Sequence, residues 1–312
     1  MSETWATRLK MFSHGIAALI FLLIAVQAVT GLLLSMFYVP SRAPVLLASG
    51  EKATIVNSER IEKIGSFTDT LGMNGGAALI PASNNDVVPS EAAASVVVDI
   101  ANAPAGNIIR SIHHNNTGWL YGLGIIWLII LVVRKAYKSE ASVWVRAVFF
   151  LVLVLVCAWS GRLLPDDVYA EISRRIVGNE LQEAPFGNFI SSIFGVDPSF
   201  PRLNRTFVMH VFAGGLMLLM LLKPFSSRKG AIPVAFVLAF LLAVSAFIPL
   251  DALAVRDTMT ALDGSAHVQP WWVISPLHTL VEWVGAELAG YMLIAALTSM
   301  LMLSRSGWGR KL

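Results

Sequence analysis

An all-α integral membrane fold of about six transmembrane helices is predicted by three features of the chain. Of its 312 residues, 56% are hydrophobic and only 14% charged, which is too apolar for an ordinary soluble domain of this length. Six apolar runs each approach or exceed the roughly 18 residues that a helix needs to cross about 30 Å of hydrocarbon. Lys and Arg gather in the alternate, shorter connections, as they do where basic loops stay on the cytoplasmic side.

The runs lie near 13–37, 117–134, 145–163, 207–224, 231–249 and 281–304. The first follows Arg8 and Lys10, as a signal peptide would. It exceeds a normal apolar signal core and lacks a small-x-small cleavage site, so it is expected to be retained as a helix. Arg8 and Lys10, then Arg134, Lys135, Lys138 and Arg146, then Lys223, Arg228 and Lys229, and finally Arg305, Arg310 and Lys311 all fall on one side. Both termini are therefore expected in the cytoplasm.

Three long segments, 41–105, 164–205 and 250–280, share the outer face. The first is rich in Ala, Ser, Asn and Val with Gly75-Gly76, and reads as an irregular loop or small cap. The second holds a short interfacial helix over 168–181, then a stretch punctuated by Pro and Gly from Pro185 to Pro201. No internal repeat or low-complexity tract is evident.

The net charge of +3 follows from the loop asymmetry and gives no support to a nucleic-acid partner. The single cysteine, Cys157, lies inside the third run. That excludes a disulfide framework, a Cys-x-x-Cys-His attachment site and a protein-ligated iron–sulfur cluster, so any heme is bound non-covalently. A transporter would want paired intramembrane charges or helices broken in matching halves, and neither is seen.

Polar residues inside membrane helices are costly and often functional. His113 opens the second helix and His210 the fourth, at similar depth near the outer face. One imidazole from each of two facing helices is what a bis-histidine heme site requires. Taken alone, an intramembrane histidine is more often a hydrogen-bonded packing residue than a heme ligand.

The residues around them carry a resemblance. Gln27, Thr30-Gly31-Leu32-Leu33, Tyr38-x-Pro40, Gly106-x-x-x-Arg110-x-x-His113, Gly161-x-x-Leu164-Pro165, Pro185-x-Gly187 and Arg205-x-x-x-x-His210 occur in order. Along most of its length the chain resembles the cytochrome b subunit of cytochrome bc complexes. The resemblance implies a four-helix heme-binding bundle over 1–225, with an outer insertion at about 41–105, and a two-helix region over 226–312 with a degenerate outer quinone motif. It implies His113 and His210 as axial ligands of heme b iron, with Arg110 and Arg205 pairing with heme propionates or anchoring at the interface. Gly31 and Gly161 would admit the porphyrin between backbones, or serve a tight helix crossing. His114 is an alternative to His113; adjacent helical residues point about 100° apart, and the family spacing favours His113.

The departures are informative. Family members carry a second histidine 14 residues after each first one, about 21 Å deeper on the same helix face, and these hold an inner heme. Here those positions are Trp127 and Pro224, so one heme b is expected. The family's outer Pro-Glu-Trp-Tyr is replaced by Pro270-Trp271-Trp272-Val273, followed by Pro276 and Leu288-x-Gly290. Pro270 and Trp272 keep the frame of a quinone pocket while its glutamate is gone. His278 stands where the family has tyrosine, with Glu282 one turn on; both are candidate quinol proton acceptors. The other reading makes His278 an interfacial hydrogen-bonding residue and the tryptophans belt anchors. Asp166 and Asp167 replace an aromatic residue and a glycine, and read as solvated loop charges or as docking residues for a cationic partner.

The implied function is an electron-transfer subunit of a quinol/quinone oxidoreductase in a respiratory or photosynthetic complex, in a bacterial inner membrane. Its single heme would exchange electrons between membrane quinone and a c-type cytochrome or iron–sulfur protein. With one heme, electron flow across the membrane through this chain is broken. The alternative is a structural membrane anchor without redox turnover. The chain stops after the sixth helix, where full-length family members continue, so another subunit is expected on that surface.

Overall fold

In the computed structural model, residues 3–56, 77–197, 201–221, 231–248, 250, 253–258 and 273–305 are described. Four long helices form the central bundle: α1 (Glu3–Ser35), α3 (Gly106–Val133), α5 (Ala141–Leu163) and α8 (Leu203–Leu221). α1 packs on α3, α3 on α5 and α5 on α8, which returns to α1. Outside this ring, α9 (Ala231–Phe247) lies on α3, and α11 (Ala286–Arg305) lies on α5. Among the described residues, five helices are long and apolar enough to cross a membrane, with spans at Thr7–Ser35, Gly106–Val133, Ala141–Leu163, Leu203–Met220 and Ala286–Leu303. Their outer faces expose Leu32, Ile129, Val133, Val211 and Leu219, an apolar surface suited to lipid, with backbone polar groups satisfied inside each helix.

The helices depart from the apolar runs in an instructive way. α3 begins at Gly106 rather than near 117, because its polar first turns face the bundle instead of water. Asn116 Nδ2 donates to the Leu23 carbonyl at 2.9 Å, and Asn115 Nδ2 donates to that of Ser245 at 3.0 Å. The fifth predicted crossing is a helix of 17 residues, at the lower limit for a span. The sixth run is split at Gly285, whose φ of +81° suits glycine. Val281–Val284 belongs instead to the end of α10 (Ser275–Val284), and the crossing starts at Ala286.

The long segments between helices form a joined cap at one end of the bundle. Residues expected to be irregular contain a small antiparallel pair, β1 (Ala53–Val56) and β2 (Ala78–Pro81), with Thr54 opposite Ile80. A one-turn helix α2 (Glu91–Ala94), capped by Ser90, runs into a π-helical turn at Ser95–Ile100. After α3 a further turn, α4 (Ala136–Ser139), leads to α5. The expected interfacial helix is α6 (Val168–Glu183), N-capped by Asp167, whose carboxylate accepts from Ala170 N at 2.7 Å. α7 (Gly187–Phe194) then leads to α8.

Asp166 and Asp167 are neither solvated nor available for docking: both are buried. Asp166 accepts hydrogen bonds from Arg42 at 3.2 Å, Arg174 at 3.1 Å and Arg256 at 3.3 Å. Glu171 is bound by Arg42, by Arg174 at 2.7 Å and by Arg175 at 2.9 Å. Burial alone would raise the Glu171 carboxyl, yet the guanidiniums of Arg42 and Arg174 and the Arg175 hydrogen bond hold it below the usual carboxylate range. The guanidiniums come from three separate segments, after α1, after α5 and after α9, so one charge cluster ties the cap together. Tyr38 adds a hydrogen bond of 2.7 Å from its hydroxyl to the Leu164 carbonyl, and burial raises its pKa.

At the opposite end, the bundle interior is closed by side chains. Ile20, Leu23, Trp127, Leu131, Trp144, Ala213 and Met217 belong to one buried cluster. Trp127 Nε1 donates to Ser13 Oγ at 3.3 Å, and Trp144 Nε1 to the Met300 carbonyl at 2.7 Å. Pro224 lies outside the described residues.

Candidate functional site

His113 and His210 each stand two turns into their helices, α3 from Gly106 and α8 from Leu203. These helices enter the bundle from the capped end, so both imidazoles arrive at one depth. Their ring centroids are 6.2 Å apart, with planes inclined by 60°.

The other two bundle helices, which run toward the cap, build a matching seat for each ring. On α1, Thr30 Oγ1 lies 3.0 Å from His113 Nδ1, and Gln27 Nε2 donates to the His113 carbonyl at 2.8 Å. On α5, Ser160 Oγ lies 3.1 Å from His210 Nδ1, and Cys157 Sγ donates to the His210 carbonyl at 3.7 Å. A Cβ added to Gly31 would come within 2.9 Å of His113 Cε1, and one added to Gly161 within 2.9 Å of His210 Cε1. The two glycines therefore admit the imidazoles themselves, a closer contact than the porphyrin passage expected of them.

The seats share a five-residue pattern, Gln27-Ala28-Val29-Thr30-Gly31 and Cys157-Ala158-Trp159-Ser160-Gly161. Reading for repeats overlooked it because only the alanine and the glycine are identical. A hydroxyl-Gly pair three residues after a donor, present on two membrane helices, was the available signal.

The spacing suits one metal centre between the rings. Two metal–imidazole bonds of about 2.0 Å, with about 1.2 Å more from nitrogen to ring centre at each end, put the centroids about 6.4 Å apart. Nε2 of neither ring has a hydrogen-bond partner among the described residues.

Of the two adjacent histidines, His113 and His114, it is His113 whose ring lies against Thr30 and Gly31. Arg110, on the turn before His113, lines an outer cavity of about 400 Å³ with Asn107, Ser111, Leu253 and Val255. Arg205 is exposed, and its guanidinium donates to the Ser192 carbonyl at 2.7 Å and the Ser192 hydroxyl at 3.1 Å, contacts that suit an anchoring role. His278 Nδ1 and Glu282 Oε1 lie 3.4 Å apart across one turn of α10. Pro270 and Trp272 lie outside the described residues.

Residues 120–229 match the sequence family described as cytochrome b(N-terminal)/b6/petB. The chain is cytochrome b-like. The match includes Gly161 and His210 and begins just after His113. Among solved structures, a chain titled "Hyperthermophilic respiratory Complex III" superposes with a TM-score of 0.63 at 17% identity, covering 94% of this chain and 75% of that one. At that identity the likeness concerns the fold alone. No curated protein matches the chain.

Proposed function

We propose that the chain is an electron-transfer membrane subunit carrying one heme b between His113 and His210, near the outer face. It would exchange electrons between membrane quinone and an outer-face partner, a c-type cytochrome or iron–sulfur protein, within a larger complex of a bacterial inner membrane. The observation that carries this reading is the pair of matched seats holding two imidazoles 6.2 Å apart. Membership of the matched family implies heme b, which when bound supplies one-electron chemistry. This chain's residues would bind and orient it, with His113 and His210 holding the iron and Arg110 available as a cation for a propionate. At the outer end, His278 would accept a quinol proton and Glu282, mostly exposed, would pass it to water.

Purified variants test the ligands. His113→Ala and His210→Ala should each abolish the low-spin b-type spectrum, while His114→Ala leaves it largely intact; equal loss from all three would sink the assignment. The anchor reading differs in turnover. A bound heme that a quinol cannot reduce would favour it.

A further inference from the structure

We propose that Thr30 and Ser160 are paired positioning residues that hold His113 and His210 as Nδ1–H tautomers, leaving both Nε2 lone pairs to the iron. The proposal rests on the heme reading above and concerns what prepares the ligands. A hydroxyl has one proton and two lone pairs. Thr30 Oγ1 lies 2.8 Å from the Val26 carbonyl oxygen, and Ser160 Oγ lies 2.6 Å from that of Val156. Oxygens this close need a proton between them, so each hydroxyl spends its only proton on its own helix. The contacts to Nδ1, at 3.0 Å and 3.1 Å, must then run the other way, with Nδ1–H donating to the hydroxyl oxygen. The reverse assignment would leave two unprotonated oxygens facing each other on both helices.

A neutral imidazole protonated at Nδ1 carries its free lone pair at Nε2, the atom left without a partner in both rings. The bonds from Gln27 and Cys157 to the histidine carbonyls hold the backbone beneath each ring, and Gly31 and Gly161 give the rings room. Each seat therefore sets tautomer, tilt and height together. The relay from imidazole N–H to hydroxyl to carbonyl also polarises along its length, making each ligand a better electron donor and favouring the ferric state.

Thr30→Val and Ser160→Ala remove the acceptor and keep the bulk of the side chain. Each should weaken heme retention about 10- to 100-fold. Each should also raise the heme midpoint potential, a tenfold loss of relative ferric affinity corresponding to about 59 mV, and alter the low-spin EPR g values. Thr30→Ser, which restores the hydroxyl, should return all three toward wild type, a rescue that a packing role would not give. If Thr30→Val does not accumulate, Ser160→Ala carries the test by itself. Heme that survives His113→Ala and His210→Ala would overturn the site reading. Heme lost from those two variants, with wild-type retention, potential and g values in Thr30→Val and Ser160→Ala, would overturn only the positioning role.

Discussion

The pairing of His278 with Glu282 places an imidazole 3.4 Å from a carboxylate open to solvent. A quinol oxidised at the outer face must release protons as well as electrons, and the glutamate of the related motif is absent from this sequence. His278→Phe should therefore slow quinol-dependent heme reduction by about ten- to a thousandfold while the heme spectrum stays normal. Stopped-flow reduction by a soluble quinol over pH 5–9 measures this, and an unchanged rate and pH profile would return His278 to a packing role. At this scale the meeting of His113 and His210 was legible in the sequence, because polar residues at matched depth stand out in apolar helices. The sequence was opaque where the partner comes from elsewhere in the chain: nothing local to Thr30 or Ser160 points to an imidazole on a different helix. Asp166 was misread for the same reason, since Arg42 and Arg256 meet it from 124 and 90 positions away.

Elements of the cap are tied by charge as well as by small apolar clusters, because short strands and turns bury little hydrocarbon. Asp166 has a φ of +48°, a conformation that Asn tolerates as Asp does. Asp166→Asn thus removes the charge without new backbone strain, and leaves buried guanidiniums short of a counter-ion. That should cost about 3–5 kcal/mol, read as a lower Tm and faster proteolysis of the cap. Acid should act similarly through Glu171. Its folded pKa is depressed, so its contribution is present above the unfolded carboxylate pKa and is lost as pH falls through the lower folded value. The hairpin was invisible in the sequence because four-residue strands carry too short an alternation to stand out. Helix α6 was legible, since Asp167 caps a longer periodic segment. The break at Gly285 was hidden inside a continuous apolar run, where a hydropathy window registers composition and not backbone conformation.

For the whole molecule, two ends of one bundle carry different contents. Toward the cap, four helices bring together two histidines, two hydroxyls and two glycines around a gap of one metal-ligand width. Toward the other end the helix faces in line with those histidines close on themselves, with Trp127 buried and bonded to Ser13 and with Leu131, Trp144 and Met217 packed in the same cluster. A second porphyrin there would have to displace large side chains and find nitrogen ligands where α3 offers an indole. Indole nitrogen is a donor only and cannot coordinate iron. The purified chain should therefore contain one heme b, measured by pyridine hemochrome against protein mass. A ratio near two would mean that the inner half opens and recruits ligands from residues other than Trp127. A ratio near one that falls to zero in His210→Ala would confine redox traffic to the outer half. Electrons would then have to enter and leave on the same side of the membrane, or reach the other side through a different subunit.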